Sequence, residues 1–182
     1  MREKSDQELI QEIAKGSEKA FREIFERHKA RVYGVCFYML ANRSLAEDIS
    51  QETWLSLVEK SGDYQSTGSA LGWILTVARH KCLNELRNRK KWVDLDSEVF
   101  ENIEDLTSDI DSLFENVRQE QVLQKAILEL SDNQRVILIM FVQEEKSISE
   151  IAQAIGSSVG AVKVQLHRAR ETLKQKVESY EK

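Results

Sequence analysis

Lys163, Gln165, His167, Arg168 and Arg170 crowd into one short stretch of the sequence SISEIAQAIGSSVGAVKVQLHRAR, residues 147–170. Ammonium and guanidinium groups hold phosphate in a salt-dependent way. Gln and Arg form paired hydrogen bonds with base edges, each worth about 1–3 kcal/mol of discrimination. The chemistry on offer is recognition of nucleic acid rather than bond making. Two helices and a tight turn must present it. Ser147 and Glu150 form a capping box ahead of Ile148, Ile151 and Ile155, Gly156 makes the turn, and Ser157 or Ser158 caps the helix that follows. Val162, Leu166, Ala169 and Leu173 recur at helical spacing and should face the domain's own core. That leaves Ala161, Lys163, Val164, Gln165, His167 and Arg168 outward, with Ser158 and Gly160 at the exposed helix start. This is the pattern of a helix-turn-helix whose second helix enters a major groove. A solvated basic face on an ordinary small bundle is the plainer alternative.

A second set of candidates surrounds the loop GDYQSTGS, residues 62–69. Tyr64 offers a ring to stack on a base, Gln65, Ser66 and Thr67 offer hydrogen bonds to base edges, and Gly68 allows close backbone approach. On the helix after the loop, Arg79, Lys81 and Arg87 suit the backbone of a separated strand. His80 reads as a DNA-facing or capping side chain, and Trp54 and Trp73 read as core. A third surface precedes the loop. Asp48, Gln51, Glu52 and Leu55 share one helix face, with Glu47 one position aside. An acidic face with apolar neighbours is a poor DNA surface; it suits either protein docking or plain solvation.

The remaining chemistry is thin. No paired carboxylates, Ser/His/Asp order or Gly-rich phosphate loop occurs, so an enzyme is disfavoured and no cofactor is expected. Cys36 and Cys82 are the only cysteines and have no metal-ligand spacing. Cys36 and His28 sit on an apolar stripe and read as structural. The N-terminus has no apolar signal core and no apolar run approaches a membrane span, so a cytoplasmic protein without membrane insertion is expected.

Net charge is −5, which argues against DNA until it is divided along the chain. Residues 1–92 hold 16 Lys and Arg against 13 Asp and Glu. Residues 93–117 hold nine acidic residues and no basic one, and residues 118–182 hold 10 basic against nine acidic. Two mildly basic segments therefore flank an anionic connector. In that connector Val99, Ile103, Leu106, Ile110 and Leu113 fall at steps of four and three. It reads equally as a solvated tether and as an amphipathic docking segment.

The 182 residues include no proline and seven glycines, and good helix formers dominate, which predicts an all-α chain. Ser5 and Glu8 form a capping box for a first helix that Gly16 stops, and Ser17 caps a second, to about residue 40. Asn42 breaks that stripe. Ser44 and Glu47 form a capping box for a third helix to about residue 60, and a fourth covers 70–91. Beyond the connector come a helix holding Val122 to Leu130, one opened by Ser131 and Gln134, and the helix-turn-helix, ending near 177. The expectation is a four-helix N-terminal domain (1–92), an acidic linker (93–117) and a C-terminal four-helix domain (118–182).

The string AEDISQETW at 46–54, then WILTVAR at 73–79 and LNELR at 83–87, resembles the second conserved region of the extracytoplasmic-function group of bacterial sigma factors. Residues 147–173 are similar to the fourth region of that group. The resemblance implies an alternative sigma factor that directs core RNA polymerase to promoters and aids their melting, with no catalytic residue of its own. Glu47, Asp48, Gln51, Glu52 and Leu55 would meet the clamp helices of the polymerase's largest subunit. Tyr64, Gln65, Ser66, Gly68, Arg79, His80, Lys81 and Arg87 would meet the minus-ten element. Ser158, Gly160, Ala161, Lys163, Val164, Gln165, His167 and Arg168 would meet the minus-thirty-five element. The flap of the second-largest subunit and an anti-sigma factor are further implied partners, and the linker would thread the RNA exit path. Departures from the group's pattern at Ala70 to Gly72, His80, Asn84, Ala161, Val164 and Gln165 bear on base preference and melting. No regulatory domain is expected after the last helix.

Overall fold

A computed structural model describes residues 4–65, 69–89, 120–142 and 146–180. Among the described residues there are eight α-helices, a short 3-10 turn and no strand. The chain divides into two compact units, Met1–Glu85 and Leu86–Lys182. The acidic connector, with the apolar positions from Val99 to Leu113, lies outside the described residues.

The N-terminal helices are α1 (Asp6–Ile13), α2 (Glu18–Leu40), α3 (Arg43–Lys60) and α4 (Ala70–Asn88), with the 3-10 turn Ser61–Asp63 after α3. Their ends follow from capping chemistry. The Ser5 hydroxyl accepts from the Glu8 amide at 3.3 Å while the Glu8 carboxylate accepts from the Ser5 amide at 2.7 Å. Gly16, at φ 88°, turns the chain after α1, and the Ser17 hydroxyl accepts from the Ala20 amide at 3.3 Å to open α2. At the next junction the expectation fails. Ala41 adopts the left-handed conformation (φ 49°), and the Asn42 side chain accepts from the Leu45 amide at 3.1 Å. Asn42 thus caps α3, and the Ser44–Glu47 pair sits inside the helix. An asparagine side-chain carbonyl satisfies the same orphan amide as a serine hydroxyl, and the reversal at Ala41 already frees the chain to restart.

Leu9 and Ile10 of α1, Ile24 and Met39 of α2, Leu57 of α3, and Ile74 and Leu83 of α4 are fully buried. Each such side chain stabilises by about 1.5–3 kcal/mol relative to exposure. Cys36 and Cys82 are buried and free. His28 is structural, as expected: its Nε2 lies 2.6 Å from Asp6 Oδ2, and Arg27 donates to Asp6 Oδ1 at 2.8 Å, which ties α1 to α2.

The C-terminal helices are α5 (Glu120–Leu128), α6 (Asp132–Val142), α7 (Ile148–Ile155) and α8 (Val159–Tyr180). The Ser131–Gln134 and Ser147–Glu150 boxes both form. Val136 through Met140 of α6 are all buried, so this helix passes through the middle of the bundle. Arg135 is buried as well, and it donates to the Leu130 carbonyl at 2.8 Å and pairs with Asp132. Helix α8 runs a turn further than expected because Lys176 and the Tyr180 hydroxyl both hold Glu129 at the end of α5.

Candidate docking and nucleic-acid interfaces

The rotation of α3 is set by what it buries. Ala46, Ile49, Thr53, Trp54 and Leu57 face inward. The Trp54 ring meets the rings of Phe21 and Phe25 edge-on, with centroids 6.3 and 5.1 Å away, which makes it core as expected. Thr53 donates its hydroxyl to the Ile49 carbonyl at 2.7 Å, so it asks nothing of the outer face. That outer face holds Glu47, Asp48, Gln51, Glu52 and Leu55, all exposed. Leu55 is 64% exposed and Val58 46%. Two uncovered aliphatic side chains one helical turn apart, bordered by carboxylates, form an apolar spot in an acidic surround. Val58 extends the face read from the sequence; its position three residues after Leu55 is the signal for it.

The loop candidates divide. Gln65 is exposed, while Ser66, Thr67 and Gly68 lie outside the described residues. Tyr64 is half-buried, its ring 5.2 Å from that of Trp73. Trp73 is therefore half-exposed beside Tyr64 rather than sealed in the core. Ser69 opens α4 by accepting from the Gly72 amide at 3.2 Å.

Along α4, His80 and Arg87 are exposed, and Asn84 joins them on the same ridge. Lys81 is half-buried, and its ammonium contacts the Glu52 carboxylate at 3.2 Å. Arg79 does not reach the surface. It is buried at 5% exposure, and its guanidinium donates to the Thr76 hydroxyl at 3.4 Å. Helical spacing explains its burial, against the expectation of a DNA-facing side chain: Arg79 follows Ala78 and Leu75 around the inward arc, whereas His80 turns away from it. Its long aliphatic stem is suited to burial.

In the C-terminal unit, Val162, Leu166, Ala169 and Leu173 are fully buried or nearly so, together with Ile151 and Ile155. Gly156 makes the turn at φ 71°, and its amide donates to the Ala152 and Gln153 carbonyls. The Ser158 hydroxyl accepts from the Ala161 amide at 3.1 Å, so Ser158 is the cap of the two serines considered. Gly160, His167 and Arg168 are exposed, and Lys163 and Gln165 are half-buried. Ala161 and Val164 are buried, against the expectation that they point outward. They are the apolar members of that set, and enclosing them removes hydrocarbon from water. The predicted reading residues also do not share one face. Lys163 and His167 stand one above the other, whereas Gln165 lies about 160° around the helix from Lys163.

A sigma-70 region 2 model matches residues 24–92, and a sigma-70 region 4 model matches residues 120–173. The chain belongs to the extracytoplasmic-function group of sigma-70 factors. It is an alternative sigma factor, directing transcription initiation. Among its relatives, the sigma factor SigW of Bacillus subtilis is 28% identical over 177 residues, covering 92% of this chain and 94% of SigW. The sigma factor CarQ of Myxococcus xanthus is 29% identical, covering 88% and 90%. Two solved structures share the fold of this sigma factor. CnrH, solved with the cytosolic domain of CnrY, has a TM-score of 0.57 at 19% identity, covering 97% of this chain and 99% of that one. RpoE, solved with the anti-sigma factor NepR from Bartonella quintana, has 0.59 at 21% identity, covering 88% and 98%. Among the described residues of the sigma factor, no helix is long and apolar enough to cross a membrane. None of their His, Cys, Asp or Glu side chains cluster in a way that could hold a metal ion.

Proposed function

We propose a division of labour within this sigma factor. The outer face of α3, from Glu47 to Leu55 and extended by Val58, docks on the clamp helices of the largest polymerase subunit. The loop with Tyr64 and Gln65, together with the α4 ridge of His80 and Arg87, holds the melted minus-ten element. Helix α8 reads the minus-thirty-five element. Residues 1–92 and 118–182 act as the two promoter-binding domains, and residues 93–117 join them and follow the RNA exit path. The observation that carries the docking assignment is the pair of exposed aliphatic side chains, Leu55 and Val58, set among carboxylates. Isolated charged faces stay solvated at little cost, but exposed apolar surface gains by being covered.

The reading also has a cytoplasmic site of action, no catalytic residue, a contact to the flap of the second-largest subunit, and control by an anti-sigma factor. NepR bound to the Bartonella RpoE supports the last of these.

The test is a charge reversal of the full chain, Asp48→Lys with Glu52→Lys. Both residues are exposed, so helical content should be unchanged. Holoenzyme formation with core polymerase, followed by size-exclusion chromatography, should fall at least about tenfold. Unaltered co-elution would remove α3 from the docking surface.

A further inference from the structure

We propose that Val159, the first residue of α8, reads a thymine by packing on its C5-methyl group in the major groove. The inference rests on α8 being the base-reading helix and adds a residue to it. Val159 is 44% exposed, although its side chain is wholly apolar. Steps of four place it in line with Lys163 and His167, on the polar ridge of the helix. Side chains tilt toward a helix's N-terminus, so the branched end of Val159 projects past the first turn. Recognition helices contact bases through those N-terminal residues. Its neighbours leave it unobstructed. The Ser158 hydroxyl is committed to the Ala161 amide, and Gly160 has no side chain and a nearly open surround. A polar side chain here would seek a base-edge hydrogen bond; an isopropyl group matches only the methyl that marks thymine. Its neighbours on the ridge, Lys163 and His167, are polar groups suited to phosphate or base edges.

The test uses holoenzyme on a promoter mapped by run-off transcription. Each thymine of the protected upstream element is replaced in turn by deoxyuridine, which removes the methyl and keeps the pairing. The wild-type holoenzyme should bind about three- to fivefold more weakly at one such position, the effect of one lost methyl contact. Val159→Ala should bind the unmodified promoter more weakly by a similar factor and be indifferent to deoxyuridine at that position. Val159→Thr, of the same shape with one methyl fewer, should fall between the two. Equal deoxyuridine sensitivity in wild type and Val159→Ala overturns the assignment, as does an element with no sensitive thymine. If wild-type holoenzyme leaves the upstream element unprotected, the reading of α8 itself fails, which is a separate outcome.

Discussion

The Lys81 ammonium of α4 sits 3.2 Å from the Glu52 carboxylate of α3, and so joins a residue of the proposed docking face to one of the proposed strand-holding helix. The Glu52 side chain is 56% exposed and that of Lys81 27%, so this is a partly solvated pair. Such pairs contribute about 0.2–1 kcal/mol. Urea unfolding of wild type, Glu52→Gln, Lys81→Gln and the double variant should give a coupling energy in that range. A coupling above about 2 kcal/mol would show that the pair is a structural strut rather than a contact polymerase can displace.

Asp6 makes a pH-dependent contribution. Burial pushes its carboxyl up, but hydrogen bonds from Arg27 and His28 outweigh that effect and hold it below the ordinary aspartate range. A group depressed in the folded state stabilises fully above its unfolded value and loses that contribution as pH falls toward the folded one. Asp6→Asn should therefore cost about 1–2 kcal/mol at pH 7. The gap from wild type should narrow below about pH 4. A constant gap from pH 7 to pH 3 in urea melts would contradict this.

The two arginines of α4 should behave oppositely. Arg79→Ala removes a buried side chain. It should lower unfolding free energy by about 1–3 kcal/mol. Arg87 is exposed. Arg87→Ala should leave stability within about 0.5 kcal/mol. It should weaken holoenzyme binding to promoter DNA and reduce the salt slope by about one. Filter binding from 50 to 300 mM salt separates the cases, and an unchanged slope would take Arg87 off the DNA surface.

Gly156 tests the turn. Nothing lies within 4 Å of where its Cβ would be, so only the backbone opposes a side chain. At φ 71° a Gly156→Ala change should cost about 1–2 kcal/mol. No loss of stability in thermal or urea melts would mean that the turn relaxes at no cost.

Much of this was legible in the residues. The boxes at Ser5, Ser131 and Ser147, the cap at Ser17 and the stripe from Val162 to Leu173 were readable because capping and periodicity are local. Asn42 and Ser44 are both good caps two positions apart, and only the reversal at Ala41 decides between them. Arg79, Ala161 and Val164 failed for a different reason. Charge predicts exposure and a groove helix predicts outward residues, but burial depends on neighbours far along the chain. Val58 and Val159 are not legible as surface residues, because an apolar residue in a helix reads by default as core, and exposure is a tertiary fact.

Run-off transcription with core polymerase on genomic fragments tests the central claim most directly. Adding the purified chain should produce discrete transcripts from a small set of start sites, each preceded by two protected elements. Adding the Asp48→Lys, Glu52→Lys variant should lower their yield at least about tenfold, in step with its loss of holoenzyme. If the wild-type chain never elutes with polymerase and yields no selective starts, it is not working as a sigma factor under any arrangement of these surfaces.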